Sequence, residues 1–273
     1  MKVSVLGSGS RGNSILVIGA SSRVLVDAGF SAKALEDRLG SVGVLPEEIH
    51  AIVVTHDHGD HTRGAGVFAR RHGTPVFLTD LTREACGSLF RGKEDLRSYR
   101  AGFPFSVGSL RVEPFLTAHD ARDPVAVALT DTRTGFKLGV ATDLGRPSSQ
   151  VRHALSLSDM MVLEANHDPG LLHQSPYPAS VRSRIASSHG HLSNEAAGQL
   201  AVELLHPRLA AVVLAHLSAE CNRPELAEAV VGQALRGAGY EGVLRVAEQD
   251  TPTPLMDVAK LRQRLGPQQL ALI

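Results

Sequence analysis

The sequence predicts an α+β protein built as one αββα sandwich, with two β-rich halves packed sheet against sheet and helices outside. Three observations carry this. Short apolar runs of strand character alternate with helical patterns along all 273 residues. Polar clusters recur at the ends of those runs in both halves of the chain. No low-complexity linker or short-period repeat separates the halves, so residues 1–273 read as a single domain.

Composition is that of a globular protein with a sizeable core, at 43% hydrophobic and 21% charged residues. The 28 Lys and Arg balance the 28 Asp and Glu, so any polyanion would have to be held by a local patch. With 4% aromatic residues and no Trp, extensive base stacking is not expected. Cys86 and Cys221 are too few for a disulfide framework and read as buried thiols rather than ligands. The N-terminus enters a strand pattern without the apolar core of a signal peptide, and no apolar stretch approaches the ~20 residues of a membrane span. A cytoplasmic protein is the expectation.

Lys2 to Leu6 is the first strand. The small-residue loop Gly7-Ser8-Gly9-Ser10-Arg11-Gly12-Asn13-Ser14 follows; it suits a phosphate cradle or a plain connection equally. Ile15 to Ile18 and Arg23 to Val26 are strands, the second ending in Asp27-Ala28-Gly29. Ser31 caps a helix to Leu39, and Pro46 to Ile49 starts a helical turn before the strand Ala51 to Val54. Thr62 to His72 reads as a helix, Pro75 to Leu78 as a strand, and Asp80 to Leu89 as a helix with Asp80 as N-cap. Arg91 to Arg100 reads as a surface excursion. Leu110 to Leu116, Val125 to Thr130 and Phe136 to Ala141 are strands, the last delivering Thr142-Asp143-Leu144-Gly145. The strand Asp159 to Leu163 runs into Glu164-Ala165-Asn166-His167-Asp168. A partly helical stretch, 169–188, leads to a helix at Asn194 to Leu204. Ala210 to Ala215 is a buried strand, Pro224 to Leu235 a helix and Gly242 to Ala247 a last strand. The tail holds an amphipathic segment, Met256 to Leu265, expected to pack on the body or on a second copy in a homodimer.

The chemistry concentrates in Thr55-His56-Asp57-His58-Gly59-Asp60-His61, directly after the buried run Ala51 to Val54. So many titratable groups beside a buried strand are costly unless a cation offsets them. Neutral imidazole and ionised carboxylate are ligands for first-row metals. His56 and His58 alternate with Asp57 and point the same way on an extended segment, while Asp60 and His61 follow a Gly that lets the chain turn. Two ligand pairs on one turning loop point to two divalent metal ions. An all-His/Asp set suits zinc, manganese or iron.

His-x-His-x-Asp-His after a buried strand resembles the signature of the metallo-β-lactamase superfamily, which implies that fold. In that superfamily a single His, an Asp and a late His follow. The resemblance then implies that His56, His58 and His119 hold one metal, that Asp60, His61 and His216 hold the other, and that Asp143 bridges them. Asp27 matches the superfamily's early Asp and is expected to support the loop through hydrogen bonds rather than ligate. A hydroxide bridging two such ions would be the nucleophile. His191-Leu192-Ser193 before a helix, with Ala215-His216-Leu217-Ser218 downstream, looks like the end of the RNase Z-type phosphodiesterases. That match implies that His191 contacts the scissile phosphate or protonates the leaving oxygen. Asp60 and His191 are thus the catalytic candidates.

Over roughly residues 1–247 the chain is similar to the bacterial WalJ/YycJ family. The resemblance rests on Gly7-Ser8-Gly9-Ser10 with Gly12-Asn13, Val26-Asp27-Ala28-Gly29, Val54-Thr55-His56, Ala118-His119-Asp120, Glu164-Ala165-Asn166-His167-Asp168, Gly190-His191-Leu192-Ser193-Asn194-Glu195-Ala196-Ala197-Gly198 and Ala215-His216-Leu217-Ser218. The tail from about 250 to 273 lies outside it. That family implies a metal-dependent nuclease with 5′-to-3′ exonuclease activity on DNA. Ser10, Asn13, Asn166, His167 and His191 are the candidate substrate contacts; for Asn166 and His167 a structural network is an equal alternative. Only about seventy residues separate Asp143 from His216, too few for the extra domain of RNase J-like nucleases. Grip on nucleic acid would fall to arginines such as Arg11, Arg63, Arg146, Arg182 and Arg184. The competing readings are a thioesterase or lactonase of the same fold, separated from a nuclease by its phosphate-side residues, and a non-catalytic module, against which the complete ligand set argues.

Overall fold

The computed structural model describes residues 1–266. Two sheets of seven strands form the two middle layers. The first contains β1 (Lys2–Gly7), β2 (Ser14–Ile18), β3 (Arg23–Val26), β4 (Ala51–Val53), β5 (Val76–Leu78) and β6 (Leu96–Ser98). The second contains β7 (Phe105–Val107), β8 (Leu110–Leu116), β9 (Val125–Asp131), β10 (Lys137–Ala141), β11 (Met160–Glu164), β12 (Ala211–Ala215) and β13 (Val243–Val246). The late strand β14 (Met256–Asp257) returns to the first sheet and pairs with β1. The sheet orders are β14-β1-β2-β3-β4-β5-β6 and β13-β12-β11-β10-β9-β8-β7. Read from β14 in the first sheet and from β7 in the second, each runs antiparallel up to its fourth strand and parallel from there, so the halves share one pattern of strand direction.

Alternation along the strands builds the layers. Val24 and Val26 of β3 share one core between the sheets with Met160 and Val162 of β11. Leu25 and Ile52 face outward against α1 (Ala32–Ser41) and α3 (Ala65–His72). On the far side, Met161 and Leu163 pack beneath α5 (Ser149–Leu155), α8 (Asn194–Glu203) and α9 (Pro224–Gly237). The result is the expected four-layer sandwich. Smaller helices complete it: α2 (Gly59–Thr62), α4 (Asp80–Ala85), α6 (Pro169–Gln174), α7 (Ala179–Ile185) and α10 (Val258–Arg264).

Several expected elements are corrected. The helix Thr62 to His72 is broken into α2 and α3. At the break the Gly64 N–H donates to the Ala28 carbonyl at 2.8 Å, and a Cβ there would lie 2.0 Å from the Phe30 carbonyl oxygen. Asp80 is not the N-cap of α4; the Thr79 hydroxyl is, accepting from the Thr82 N–H, and the helix ends at Ala85 before a separate turn at Gly87–Leu89. The excursion 91–100 contains the edge strand β6, which carries the buried Tyr99 at its end. Strand β7 and helix α5 lie outside the expected elements.

The tail packs on the body. The Thr253 hydroxyl accepts from the Val5 N–H at 2.9 Å, and its carbonyl accepts from the Ser4 hydroxyl at 2.7 Å. Arg262 of α10 reaches within 3.6 Å of Asp159, a fully buried carboxylate that also accepts from the Lys137 N–H. Thr253→Val keeps the shape but strands the buried Val5 donor. It should cost about 1–3 kcal/mol in urea unfolding, whereas an unchanged midpoint would mean that the tail adds nothing to the core.

Candidate metal centre

Three strand ends aim the site. Asp27 after β3, Asp143 after β10 and His216 after β12 have φ of 64°, 57° and 56°. This left-handed region is uncommon for residues with a Cβ and is tolerated best by short polar ones. Each turn throws its side chain back over the rim instead of along the strand. The loop after β4 supplies His56, His58, Asp60 and His61, with Asp60 and His61 on the single turn of α2. Its position depends on Gly29, whose Cβ, if present, would lie 1.6 Å from the Asp60 carbonyl oxygen.

Two groups converge, and a third overlaps both. His56, His58, His119 and Asp143 offer ligand atoms all within 4.8 Å of one another, and so do Asp60, His61 and His216; the third, Asp143, Glu164, His191 and His216, shares one residue with each. Asp143 lies between the groups: Oδ1 is 3.5 Å from His119 Nε2 and 3.6 Å from His216 Nε2, while Oδ2 is 3.1 Å from His61 Nε2. A tetrahedron with bonds of 2.0–2.1 Å has edges of about 3.4 Å, so these spacings fit ligands around a metal.

The ring tautomers fit as well. His61 Nδ1–H donates to Asp27 Oδ2 at 2.8 Å, His216 Nδ1–H to Glu164 Oε1 at 2.9 Å, and His119 Nδ1–H to the Gly190 carbonyl at 3.1 Å. Each bond leaves the Nε2 lone pair facing inward, as a ligating histidine requires. Buried His56 Nε2 has no protein partner among the described residues. An orphaned buried nitrogen facing carboxylates is the mark of a cation site. The residues therefore fit a divalent metal.

Charge points the same way. Burial works against the imidazolium of His61, yet Asp143 and Asp27 outweigh it and hold the pKa well above the ordinary value. For His216, burial is likewise outweighed, by Asp143, Asp60 and Glu164, and the pKa rises to about 10. His56 faces mainly burial and the neighbouring His61, and its pKa falls well below the ordinary value. The carboxylates thus demand positive charge, which a dication can supply in place of protons.

Asp27 sits behind His61. Besides His61 it accepts from the Thr55 N–H at 2.8 Å and from the Thr55 hydroxyl, and so fixes the loop after β4. Asn13 is not a surface contact. It is buried, its Oδ1 accepts from Gly9 N–H and the Ser8 hydroxyl, and its Nδ2 lies 3.1 Å from His61 Nε2. The Gly/Ser loop is no open cradle either: Ser8 N–H is taken by the Glu248 carbonyl, Arg11 N–H by Gln249 Oε1 and Asn13 N–H by the Asp60 carbonyl. Ser10 remains on the exposed rim of that loop. Asn166 is also structural, because its buried amide donates to the His216 carbonyl at 2.8 Å. Among the arginines, Arg11 is paired with Asp250 at 2.6 Å and Arg184 with Asp120 at 2.9 Å.

One site residue was missed. Glu164, the last residue of β11, is fully buried, and its Oε1 accepts from both His191 Nδ1–H (2.8 Å) and His216 Nδ1–H (2.9 Å). Its Oε2 accepts from the N–H groups of Leu144 and Leu192 at 2.9 and 3.0 Å. Burial alone would raise its pKa, but His191 and His216 bring it down to about 2. The signal available in the sequence was a lone acid closing a buried parallel strand. Glu164 holds His191 beside the centre, with ring centroids 5.0 Å from His119 and 5.3 Å from His216.

If Asp27 orients His61, then Asp27→Ala should weaken metal binding about 10–100-fold in chelator competition. Unchanged affinity in a folded variant would remove Asp27 from the centre.

Known proteins resemble this chain in sequence and in fold. The family model described as the metallo-beta-lactamase superfamily matches residues 7–141. The chain is 34% identical over 265 residues to the exodeoxyribonuclease WalJ of Streptococcus pneumoniae, covering 94% of this chain and 98% of that protein. It is 34% identical over 239 residues to the exodeoxyribonuclease YycJ of Bacillus anthracis, covering 87% and 90%. Among solved structures, the metallo-beta-lactamase fold protein YhfI of Bacillus subtilis superposes with a TM-score of 0.70 at 18% identity, over 92% of this chain and 98% of that one. The short form of human tRNase Z gives 0.64 at 15% identity, over 94% and 100%; likenesses this remote speak for the fold alone. The chain belongs to the WalJ/YycJ family of the metallo-β-lactamase superfamily.

Proposed function

We propose that this protein is a metal-dependent nuclease that degrades DNA from an end in the 5′-to-3′ direction, in the cytoplasm. Relatives at 34% identity carry the name exodeoxyribonuclease. The observation that carries the reading is the His191–Glu164 pair beside the two ligand groups. His56, His58 and His119 would hold one divalent ion and Asp60, His61 and His216 a second, with Asp143 serving both. Zinc and manganese suit the donor set, and iron is compatible with it. Such ions supply a water of lowered pKa and Lewis acidity at a phosphoryl oxygen.

The chain's own residues do the rest. Burial disfavours the His191 imidazolium, but the charge of Glu164 outweighs it and raises the pKa. The proton on Nδ1 is committed to Glu164, so the other nitrogen, Nε2, is the one that can donate to a leaving alkoxide. An alkoxide leaving group needs that proton far more than a thiolate does, which favours a phosphodiester over a thioester. Asp60 shares His216 Nε2 at 3.4 Å and fixes the loop side of the site. Because net charge is zero, grip on DNA falls to local groups and should be independent of base sequence.

End-labelled single- and double-stranded DNA and RNA, digested after chelation and restoration of manganese or zinc, test the reading. Metal-dependent release of the 5′ label first is expected. The double variant Asp143→Ala, His56→Ala should lose at least about a thousandfold, and Glu164→Gln about 10–100-fold. Intact nucleic acid alongside turnover of a thioester or lactone would move the protein to the carbonyl hydrolases.

A further inference from the structure

We propose that a cavity beside the metal centre is a phosphate subsite for the nucleotide next to the scissile bond, an inference that deepens the nuclease reading and rests on it. The cavity, of about 580 Å³, is lined by residues of α6, α7 and the start of α8. Its size falls within the range of small-ligand sites. His191 belongs both to its wall and to the edge of the metal centre, so the two spaces adjoin.

Three features of the wall favour an anion. Arg182 lines the cavity, and its Nη1 donates only to the main-chain carbonyls of His173 (3.2 Å) and Ser175 (3.4 Å), which leaves its charge unneutralised by any carboxylate among the described residues. The N-terminus of the ten-residue helix α8 opens on the same space; its Asn194 and Ala196 N–H groups are taken by the His167 carbonyl and the Ser193 hydroxyl, so it contributes its dipole rather than free donors. His167 supplies the independent observation. It lines the cavity and is 4% exposed; its Nδ1 is shut away from solvent, and Nε2, which no protein group among the described residues takes, is the nitrogen left to face a ligand. No Asp or Glu is among the described lining residues; Glu195, in the first turn of α8, is exposed and outside the cavity. Leu172 and Leu192 give the remaining wall an apolar face that suits a deoxyribose.

This cavity offers what the Gly/Ser loop does not: beside the reacting centre, a guanidinium with no carboxylate partner among the described residues. Its Arg182 and His167 would hold one phosphate while the metal centre acts on its neighbour. The subsite therefore positions the strand and takes no part in bond breaking.

Calorimetry on the metal-loaded protein tests this, with deoxyadenosine 5′-monophosphate and deoxyadenosine as probes. The monophosphate should bind more tightly than the nucleoside, and Arg182→Gln should weaken it about tenfold. Ser183→Trp, which places bulk at the cavity from the exposed face of α7, should give a similar loss. Metal content measured on the same samples ensures that the centre is loaded. No binding of the monophosphate, or equal binding by wild type and both variants, overturns the subsite. Binding that depends on Arg182 in a protein that leaves DNA intact supports the subsite and overturns the nuclease reading.

Discussion

An ionised carboxylate is tolerated out of water only where hydrogen bonds and positive charge offset its lost hydration. One rim of this molecule buries three: Asp27, Asp143 and Glu164. Asp27 is answered by Thr55 and His61 and Glu164 by two imidazoles and two main-chain donors, whereas Asp143, whose Oδ2 has no hydrogen-bond partner among the described residues, calls for a cation between the ligand groups. The arrangement of the rim follows from this requirement. Six strand ends, those of β3, β4, β8, β10, β11 and β12, must meet there because no single loop carries enough donors.

The sheets make that meeting rigid. Two residues of the centre, Asp143 and His216, and the supporting Asp27 sit in left-handed backbone, at a cost of about 1–3 kcal/mol each. Surrounding strands hold the conformation in place. A cross-sheet chain of hydrogen bonds adds to this: the His216 N–H donates to the Ser8 hydroxyl at 2.8 Å, and that hydroxyl donates to Asn13 Oδ1 at 2.8 Å. Asn13 in turn touches His61, so ligands from the two halves are tied through a loop that itself ligates nothing. Preorganisation of this kind is what places donor atoms before a metal arrives.

Much of this was legible in the sequence. The density of imidazoles and carboxylates after Ala51 to Val54 has few other physical explanations, and apolar alternation marked most central strands. What escaped did so for identifiable reasons. Glu164 ends a run whose other members are all apolar, and nothing in periodicity distinguishes a buried acid from a strand terminus. Asn13 and Asn166 lie in polar loops near the site, but whether an amide faces outward or satisfies backbone inside is decided by contacts far away in sequence. The strands β6 and β7 are three residues each, too short to show a period. The break between α2 and α3 depends on the approach of Phe30, which only the tertiary structure supplies.

The pairing of β14 with β1 carries a consequence for how the chain matures. Lys2 and Val3 meet Asp257 and Met256, partners separated by almost the whole chain. During synthesis β1 would wait with one edge bare until Met256 and Asp257 of β14 emerge. Contacts of such long separation slow folding, and an unpaired strand edge invites association with other chains. The nascent protein would therefore be vulnerable to association through that edge until β14 has emerged, and occupancy by a chaperone would match the interval in which only β2 pairs with β1.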